Sequence, residues 1–242
     1  MSEDSKTYSI YSNADFVDKY FESIQHNAWN AYYERPSSLS LLPDITNKRI
    51  LDAGCGPGIV SKILRERGAL VTSVDYSPAM VDVARKVLGE TGDIKCMDLN
   101  LGLPNFDDKA FDIIYCSLTI HYIDDLEFLF KEFCRVLRKG GVLIFSTDHP
   151  DSPAFKDSPI TAKRVNDVVW ENFGITLRVI ERPWGDILSS LEKANLRIEK
   201  IIDAEPTEQC RFYFPQTYQY LKENRHFICL RATKSEFPLV HD

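Results

Sequence analysis

The sequence has 242 residues, a formal net charge of −7 and 44% hydrophobic residues. This composition is typical of a globular protein with a substantial core, and the acidic balance argues against a nucleic-acid-binding surface, which needs clustered Lys and Arg. The 6 cysteines form no C-x-x-C pair and show no zinc-ligand spacing, which predicts free thiols in a reducing, cytoplasmic compartment and no metal site. The polar start, Met1–Lys6, predicts no secretory leader, and no apolar run approaches membrane-spanning length.

The N-terminal region is predicted to be helical and rich in aromatic side chains. Phe16, Tyr20 and Ile24 recur at i, i+4 and i+8, which gives one apolar helical face. Pro36 is placed to begin a second, short helix. We expect residues 1–46 to form a helical lead-in, either a lid over a site or a helix packed on the domain.

A strand followed by a glycine-rich loop and a helix is predicted next. The apolar run Ile50-Leu51 ends at Asp52, and Gly54, Gly56 and Gly58 alternate before a helical pattern begins at Ile59. Glycine lets a ligand approach the main chain closely, and the start of the helix presents backbone N–H groups to an anion. This arrangement predicts a binding loop for a nucleotide-like ligand.

Strands and helices then alternate along the chain. Strands are predicted over residues 70–75, 94–97, 111–117 and 142–146, with helices over about 77–88 and 125–137. This order indicates right-handed βαβ units and a parallel sheet, hence an α/β fold. Residues 150–181 break the alternation, and a helix at 187–191 and two late strands at 197–203 and 226–232 complete the prediction.

Acidic residues end three successive predicted strands and narrow the choice of ligand. They are Asp52, Asp75 and Asp98. A dinucleotide fingerprint, G-x-G-x-x-G, would require glycine at position 59, where this sequence has Ile59. An oxidoreductase that binds NAD is therefore a distant alternative, whereas a strand-end carboxylate still suits the hydroxyl groups of a ribose.

In these motifs the chain resembles the class I S-adenosylmethionine-dependent methyltransferases. The matching segments are Leu51–Gly58, Val74–Met80, Cys96–Asp98, Leu103-Pro104, Phe111-Asp112 and Leu137–Gly141, preceded by a lead-in at Trp29–Pro36. The resemblance implies a Rossmann-like, seven-stranded, mostly parallel sheet with helices on both faces and an antiparallel last strand. It also implies one domain over residues 1–242, with a cofactor-binding core (47–149), a substrate-side insertion (150–185) and a C-terminal part (186–234).

The resemblance further implies S-adenosylmethionine as cofactor and S-adenosylhomocysteine as product. Asp52 and the amides of the glycine loop are expected to meet the amino-acid end of the cofactor, and Asp75 to accept hydrogen bonds from the ribose. Other groups are expected near the adenine, the methionine arm or the cofactor carboxylate. The cofactor-binding residues implied are Asp52, Gly54, Gly56, Gly58, Asp75, Tyr76, Met80, Asp98, Leu99, Cys116, Ser117, Tyr33 and Arg35.

The acceptor and its catalytic groups are less determined by the sequence. His121 and His149 follow predicted strands at the edge where α/β folds place their sites, so each is a candidate base or substrate contact. We expect methyl transfer to oxygen, nitrogen or carbon of a small molecule, by a monomer or homodimer. The alternatives are a quinone-type or protein methyltransferase, and a protein that binds the cofactor without catalysis.

Overall fold

The computed structural model describes residues 10–235, and the polar N-terminus Met1–Lys6 lies outside that range. Nine strands occur in the described part of the chain: β1 Arg49–Ala53, β2 Leu70–Asp75, β3 Asp93–Cys96, β4 Phe111–Cys116, β5 Leu137–Asp148, β6 Arg164–Trp170, β7 Ile175–Glu181, β8 Leu196–Asp203 and β9 Phe227–Lys234. The α-helices there are α1 Ala14–His26, α2 Arg35–Leu39, α3 Ile59–Glu66, α4 Pro78–Leu88, α5 Leu126–Val136, α6 Trp184–Lys193, α7 Glu208–Tyr213 and α8 Pro215–Glu223.

The main sheet has seven strands in the order β3-β2-β1-β4-β5-β9-β8. Strands β1 to β5 pair in parallel, whereas β9 is antiparallel to both β5 and β8. The carboxyl ends of β1 to β5 therefore lie along one edge of the sheet. The predicted α/β fold with a mostly parallel seven-stranded sheet and an antiparallel last strand is confirmed.

Local sequence explains where several helices begin. Asn13 Oδ1 accepts a hydrogen bond from the Phe16 N–H at the start of α1 (3.1 Å), and Ser77 Oγ accepts one from the Met80 N–H at the start of α4 (3.0 Å). Each side chain satisfies a backbone donor that the helix itself leaves unpaired. The turn at Ser77 is thus fixed directly after Asp75 at the end of β2.

The sheet is packed with apolar side chains on both faces. One cluster brings α5 and α6 onto the sheet and includes Phe130 and Leu191, and a second brings α2 and α3 onto the other face and includes Leu39 and Leu64. Burial of apolar surface of this kind is the main favourable term in folding. The two clusters hold β1 and β4 rigidly beneath the loops that follow them.

Two strand predictions differ from the structure. The segment 150–181, expected to be irregular, contains the β6–β7 hairpin, whose turn ends at Gly174 with φ 62°. Its strands face solvent on one side and carry mixed polar residues, so their alternation is weak in sequence. Strand β5 also begins earlier than predicted, because Leu137 pairs with Phe111 before the glycines at 140 and 141.

The N-terminal helix α1 packs against α4 and the hairpin. Phe16 and Val17 are buried together with Met80 and Val83, and Trp170 of β6 packs against the same group. A π-helical segment, Asn30–Glu34, then leads into α2. Within residues 10–235, no helix is both long enough and apolar enough to cross a membrane.

Candidate active site

The glycine loop after β1 has three glycines with positive φ, and their surroundings differ. Around Gly56 (φ 53°) a Cβ would meet no atom within 4 Å, whereas at Gly54 (φ 78°) it would lie 2.3 Å from Thr119 Oγ1. At Gly58 (φ 81°) the neighbour is Ala84 of α4, at 3.0 Å. The absence of a side chain therefore leaves open space at Gly56 and admits the segment after β4 at Gly54.

The three strand-end acids lie on neighbouring strands, since β3, β2 and β1 are adjacent in the sheet. Asp75 Oδ2 accepts a hydrogen bond from the Gly56 N–H (2.8 Å), and its Oδ1 accepts one from the Ser77 N–H (2.9 Å). Asp98 Oδ1 accepts one from the Asn100 N–H (2.9 Å). Backbone donors thus orient both carboxylates at the same edge of the sheet as the glycine loop.

Asp52 is buried beneath the loop, with 2% of its surface exposed. Ser61 Oγ donates a hydrogen bond to Asp52 Oδ2 (2.5 Å), and Ser73 Oγ donates in turn to Ser61 Oγ (2.8 Å). Burial raises the pKa of Asp52 to about 7, although the bond from Ser61 opposes the shift. A cation near this carboxylate would favour its ionised form, as expected for a partner of an ammonium group.

The residues predicted near adenine and the methionine arm have unequal surroundings. Tyr76, next to Asp75, is 45% exposed, whereas Met80 is 1% exposed and packs against Phe16 of α1. Leu99 and Cys116 belong to the main core cluster. In the structure the side chains of Met80 and Cys116 pack in the core and Tyr76 is accessible, and the contact of these residues with the cofactor stays a prediction.

Sequence reasoning missed Glu34, which joins the N-terminal region to the ends of β4 and β5. Its Oε1 accepts hydrogen bonds from Ser117 Oγ (2.8 Å) and Ser146 Oγ (2.6 Å), and burial raises its pKa. The Leu118 N–H donates to Ser146 Oγ (3.1 Å), and Leu118 has φ 45°, which is unusual for a bulky residue. Glu34 and Ser146 thus support a strained turn beside the glycine loop. The available clue was an acid within an aromatic, helical lead-in.

The two lead-in residues predicted to reach the cofactor are bound elsewhere. Tyr33 has no exposed surface, and its hydroxyl oxygen accepts a hydrogen bond from the His226 N–H (3.1 Å). Arg35 Nη2 donates to the Ile24 carbonyl oxygen near the end of α1 (2.9 Å). Tyr33 thus anchors the lead-in to the residue before β9, and Arg35 ties α1 to α2, while a contact of either residue with the cofactor stays a prediction.

His149 is engaged through both ring nitrogens. Nδ1 accepts a hydrogen bond from the Asp151 N–H (2.9 Å), and Nε2 lies 3.1 Å from Asp203 Oδ1. The residue is 3% exposed. Both ring nitrogens thus have partners that stabilise the turn after β5, and a role of His149 as base stays a prediction.

His121 has the opposite character. It lies in the 3₁₀ turn Ile120–Tyr122 after β4, and its Nδ1 is buried without a hydrogen-bond partner among the described residues. Burial, together with the nearby Arg182 guanidinium, lowers the pKa of His121 to about 4. The imidazole is therefore neutral at physiological pH and retains an unused polar atom.

A cavity of about 40 Å³ adjoins His121 and extends to the end of β5 and to the hairpin. Its polar lining includes Asp148 and Glu181, while Phe155 and Trp184 contribute apolar walls. Burial, and secondarily the charge of Glu181, raise the pKa of Asp148 to about 6. The cavity lies close to the glycine loop, because Thr119, two residues before His121, contacts Gly54.

An aromatic layer lies over Asp75 and the segment after β4. It consists of Tyr11, Phe16, Tyr20, Tyr122, Trp170 and Phe173, which contact one another through their rings. The hydroxyl oxygens of Tyr11 and Tyr122 are 3.0 Å apart, and Tyr20 stacks on Trp170 with ring centroids 5.9 Å apart. The N-terminal region and the hairpin therefore cover this edge of the sheet together.

Comparisons with known proteins identify the family of this chain. The family described as "Methyltransferase domain" matches residues 51–145. A malonyl-[acyl-carrier protein] O-methyltransferase of Legionella pneumophila is 32% identical over 258 aligned residues, covering 100% of this chain and 88% of that protein. The crystal structure of an S-adenosylmethionine-dependent methyltransferase from Mesorhizobium loti has a TM-score of 0.67 and 25% identity, covering 87% of this chain and 99% of that one.

A more distant structure adds a cofactor product. The geranyl diphosphate C-methyltransferase of Streptomyces coelicolor, solved with S-adenosyl-L-homocysteine, has a TM-score of 0.59 and 18% identity, covering 83% of this chain and 79% of that one. The fold and the comparisons define a methyl-transferring enzyme. The chain belongs to the class I S-adenosylmethionine-dependent methyltransferases and transfers the methyl group of that cofactor to a small-molecule acceptor.

Proposed function

We propose that the glycine loop and the ends of β1 to β3 bind S-adenosylmethionine, and that the acceptor enters the cavity beside His121. When bound, the cofactor supplies a methyl group activated by its sulfonium. Asp52 stabilises the cofactor ammonium, Asp75 accepts hydrogen bonds from the ribose hydroxyls, and Asp98 with the Leu99 N–H binds the adenine edge. The observation that carries the proposal is the open space at Gly56 beside strand-end acids on three adjacent strands.

The protein's part in such a transfer is chiefly to position the acceptor and exclude water. The aromatic layer supports this role, because it shields the edge that holds Asp75 and the turn after β4. Glu34 supports the same turn through Ser117. Ser117 lies in this turn and would line the methionine arm of the cofactor. The exposed ring of Tyr76 would pack on the adenine.

We also propose that the acceptor is a metabolite rather than a nucleic acid, in a cytoplasmic enzyme. The net charge of −7 disfavours a polyanion, and the cavity is narrow. All six cysteines are free thiols, as is usual in reducing compartments. Every proposed ligand comes from one chain, so a monomer or a homodimer would suffice.

The cofactor assignment is tested with Asp75→Asn, which keeps the side-chain shape and removes the charge. Calorimetry with S-adenosylhomocysteine should show binding weakened about 10- to 100-fold, since hydrogen bonds to a charged group contribute about 1.5–3 kcal/mol. Asp82→Asn is the matched control, because Asp82 is an exposed acid on α4 that pairs with Arg85. Equal affinity in both variants, with circular dichroism showing native folding, would contradict the ribose assignment.

A second candidate acceptor comes from the Legionella relative, whose name identifies a malonyl-[acyl-carrier protein] O-methyltransferase. Its favouring observation is 32% identity along the whole of this chain. Under this alternative a malonyl thioester carboxylate would be methylated. Incubation with malonyl-acyl carrier protein and labelled cofactor tests it directly, because only this acceptor gives a methyl ester on the carrier protein.

A further inference from the structure

The cavity beside His121 contains a carboxylate that the protein does not satisfy. Asp148 ends β5, lines the cavity and makes no side-chain hydrogen bond to any residue between 10 and 235. Glu181, across the cavity, is held by Arg164 Nε (2.5 Å) and Asn166 Nδ2 (2.8 Å). Asp148 is partly exposed to the cavity, and a carboxylate in such a place is stabilised by a hydrogen-bond donor or a cation. Asp148 is therefore the lining carboxylate that is available to a ligand.

A second polar atom in the same place also lacks a partner. His121 Nδ1 is buried and unpaired in the described part of the chain, and the residue lines the cavity together with Asp148. A neutral imidazole presents either a donor or an acceptor at this nitrogen. Asp148 at the end of β5 and His121 after β4 thus line one small cavity whose walls are mostly apolar, which is the usual composition of a ligand pocket.

The one arginine that lines the cavity is already used by the backbone. Arg182 Nη1 donates to the Ile120 carbonyl oxygen (3.4 Å), and Nη2 donates to the carbonyl oxygens of Ile123 and Asp124. These bonds fasten the turn after β4 to the hairpin. The guanidinium is thus held by carbonyl groups and keeps its positive charge, and Glu181 is balanced by Arg164, so Asp148 is the lining acid without an ion-pair partner in the described part of the chain.

We propose that the methyl acceptor is an amine, whose nitrogen binds Asp148 with His121 beside it. This inference rests on the proposed function, because it identifies the substrate class of that same cavity. An amine supplies the N–H donors that Asp148 lacks, and its positive charge after transfer is stabilised by the carboxylate. An anionic acceptor such as a malonyl group would instead meet the like charge of Asp148.

The chemical step balances without another reactant. The lone pair of the neutral amine nitrogen forms the new bond to the methyl carbon as the carbon–sulfur bond breaks. The electrons of that bond stay on sulfur, which becomes a neutral thioether, and the positive charge moves to nitrogen. The N–H proton then passes to Asp148 or to solvent. A neutral amine needs no base before attack, whereas a hydroxyl must lose its proton to a general base during attack.

The proposal is tested by binding three probes that share one chain length: butylamine, butan-1-ol and butanoate. The protein is saturated with S-adenosylhomocysteine and titrated with each probe at neutral pH by calorimetry, as wild type, Asp148→Asn and Asp157→Asn. Asp157 is an exposed acid in the same insertion, so its variant makes the same charge change outside the cavity.

Wild type and Asp157→Asn should bind butylamine at least tenfold more tightly than butanoate, and Asp148→Asn should lose about 10- to 100-fold of the butylamine affinity. The proposal is overturned if butylamine does not bind wild type, if butanoate binds more tightly, or if Asp148→Asn leaves butylamine binding unchanged. Retained binding of S-adenosylhomocysteine would then leave the proposed function standing. If the cofactor product itself does not bind wild type, the proposed function fails.

Discussion

The cofactor side and the acceptor side of the site are built from different parts of the chain and behave differently. On the cofactor side, Asp75 and Asp98 accept hydrogen bonds from nearby backbone amides, so the carboxylates are held before any ligand arrives. On the proposed acceptor side, His121 Nδ1 is buried without a partner in the described residues, and the partly exposed Asp148 lines the same cavity. The cofactor side is therefore preorganised by its own loop, whereas we propose that the acceptor side is completed by its substrate.

The largest effect is expected from Gly54→Ala, which tests the preorganised half. The new Cβ would lie 2.3 Å from Thr119 Oγ1, in a residue with φ 78°. Overpacking and left-handed strain should together destabilise the protein by about 3 kcal/mol, and binding of S-adenosylhomocysteine should fall at least 10-fold. Urea unfolding and calorimetry measure the two effects.

Gly174→Ala separates these two costs. Gly174 has φ 62°, and a Cβ there would meet no atom within 4 Å, so only the backbone strain of about 1–2 kcal/mol should appear. If Gly54→Ala costs no more than Gly174→Ala and binds the cofactor product normally, the close approach of Thr119 to the loop does not matter. The double variant Gly54→Ala, Thr119→Ala should recover part of the lost stability.

The same contrast explains what the sequence predicts. The strand order and the loop follow from local patterns: an apolar run, alternating glycines, and acids at strand ends, each within a few residues of the next. The acceptor side depends on long-range packing that no local pattern records. The Asp148 cavity needs β5, the turn after β4 and the hairpin to come together, and the hairpin itself was expected to be irregular.

Individual residues show the same limit. Tyr33 occurs in a motif-matching segment, yet its hydroxyl binds the N–H of His226, the residue before β9. This partner lies 193 residues away in sequence, so spacing alone could not reveal the contact. Glu34 was overlooked for the same reason, since its partners Ser117 and Ser146 are 83 and 112 residues away.

A smaller effect is expected on the pH dependence of the free energy of unfolding, which tests Asp148 on the proposed acceptor side. The pKa of Asp148 is raised to about 6 by burial and by Glu181, so between about pH 4 and 6 the folded state binds more protons than the unfolded state. The free energy of unfolding should therefore fall as pH rises through this range. Asp148→Asn cannot ionise and should be about 1–3 kcal/mol more stable than wild type at pH 7 and above.

The difference between wild type and variant is the quantity to follow in urea unfolding across this pH range. The pKa of Asp52 is also raised, to about 7, so both proteins share a background slope that cancels in the difference. A difference in the free energy of unfolding that stays constant with pH would show that the pKa of Asp148 is not raised in the folded protein. A saturating amine should narrow the difference, because its N–H groups satisfy the wild-type carboxylate.

The smallest expected effect concerns His149, which lies beside the acceptor cavity yet is satisfied like the cofactor side. His149→Ala removes the acceptor of the Asp151 N–H and the partner of Asp203, and should cost about 1–2 kcal/mol of stability. If His149 only stabilises the turn, kcat with an accepted amine should stay within about twofold of wild type, with an unchanged pH profile. An alanine variant that folds with nearly full stability but loses far more than twofold of kcat would restore His149 as the base. His149 would then belong to the proposed acceptor side of the site, together with Asp148 and His121.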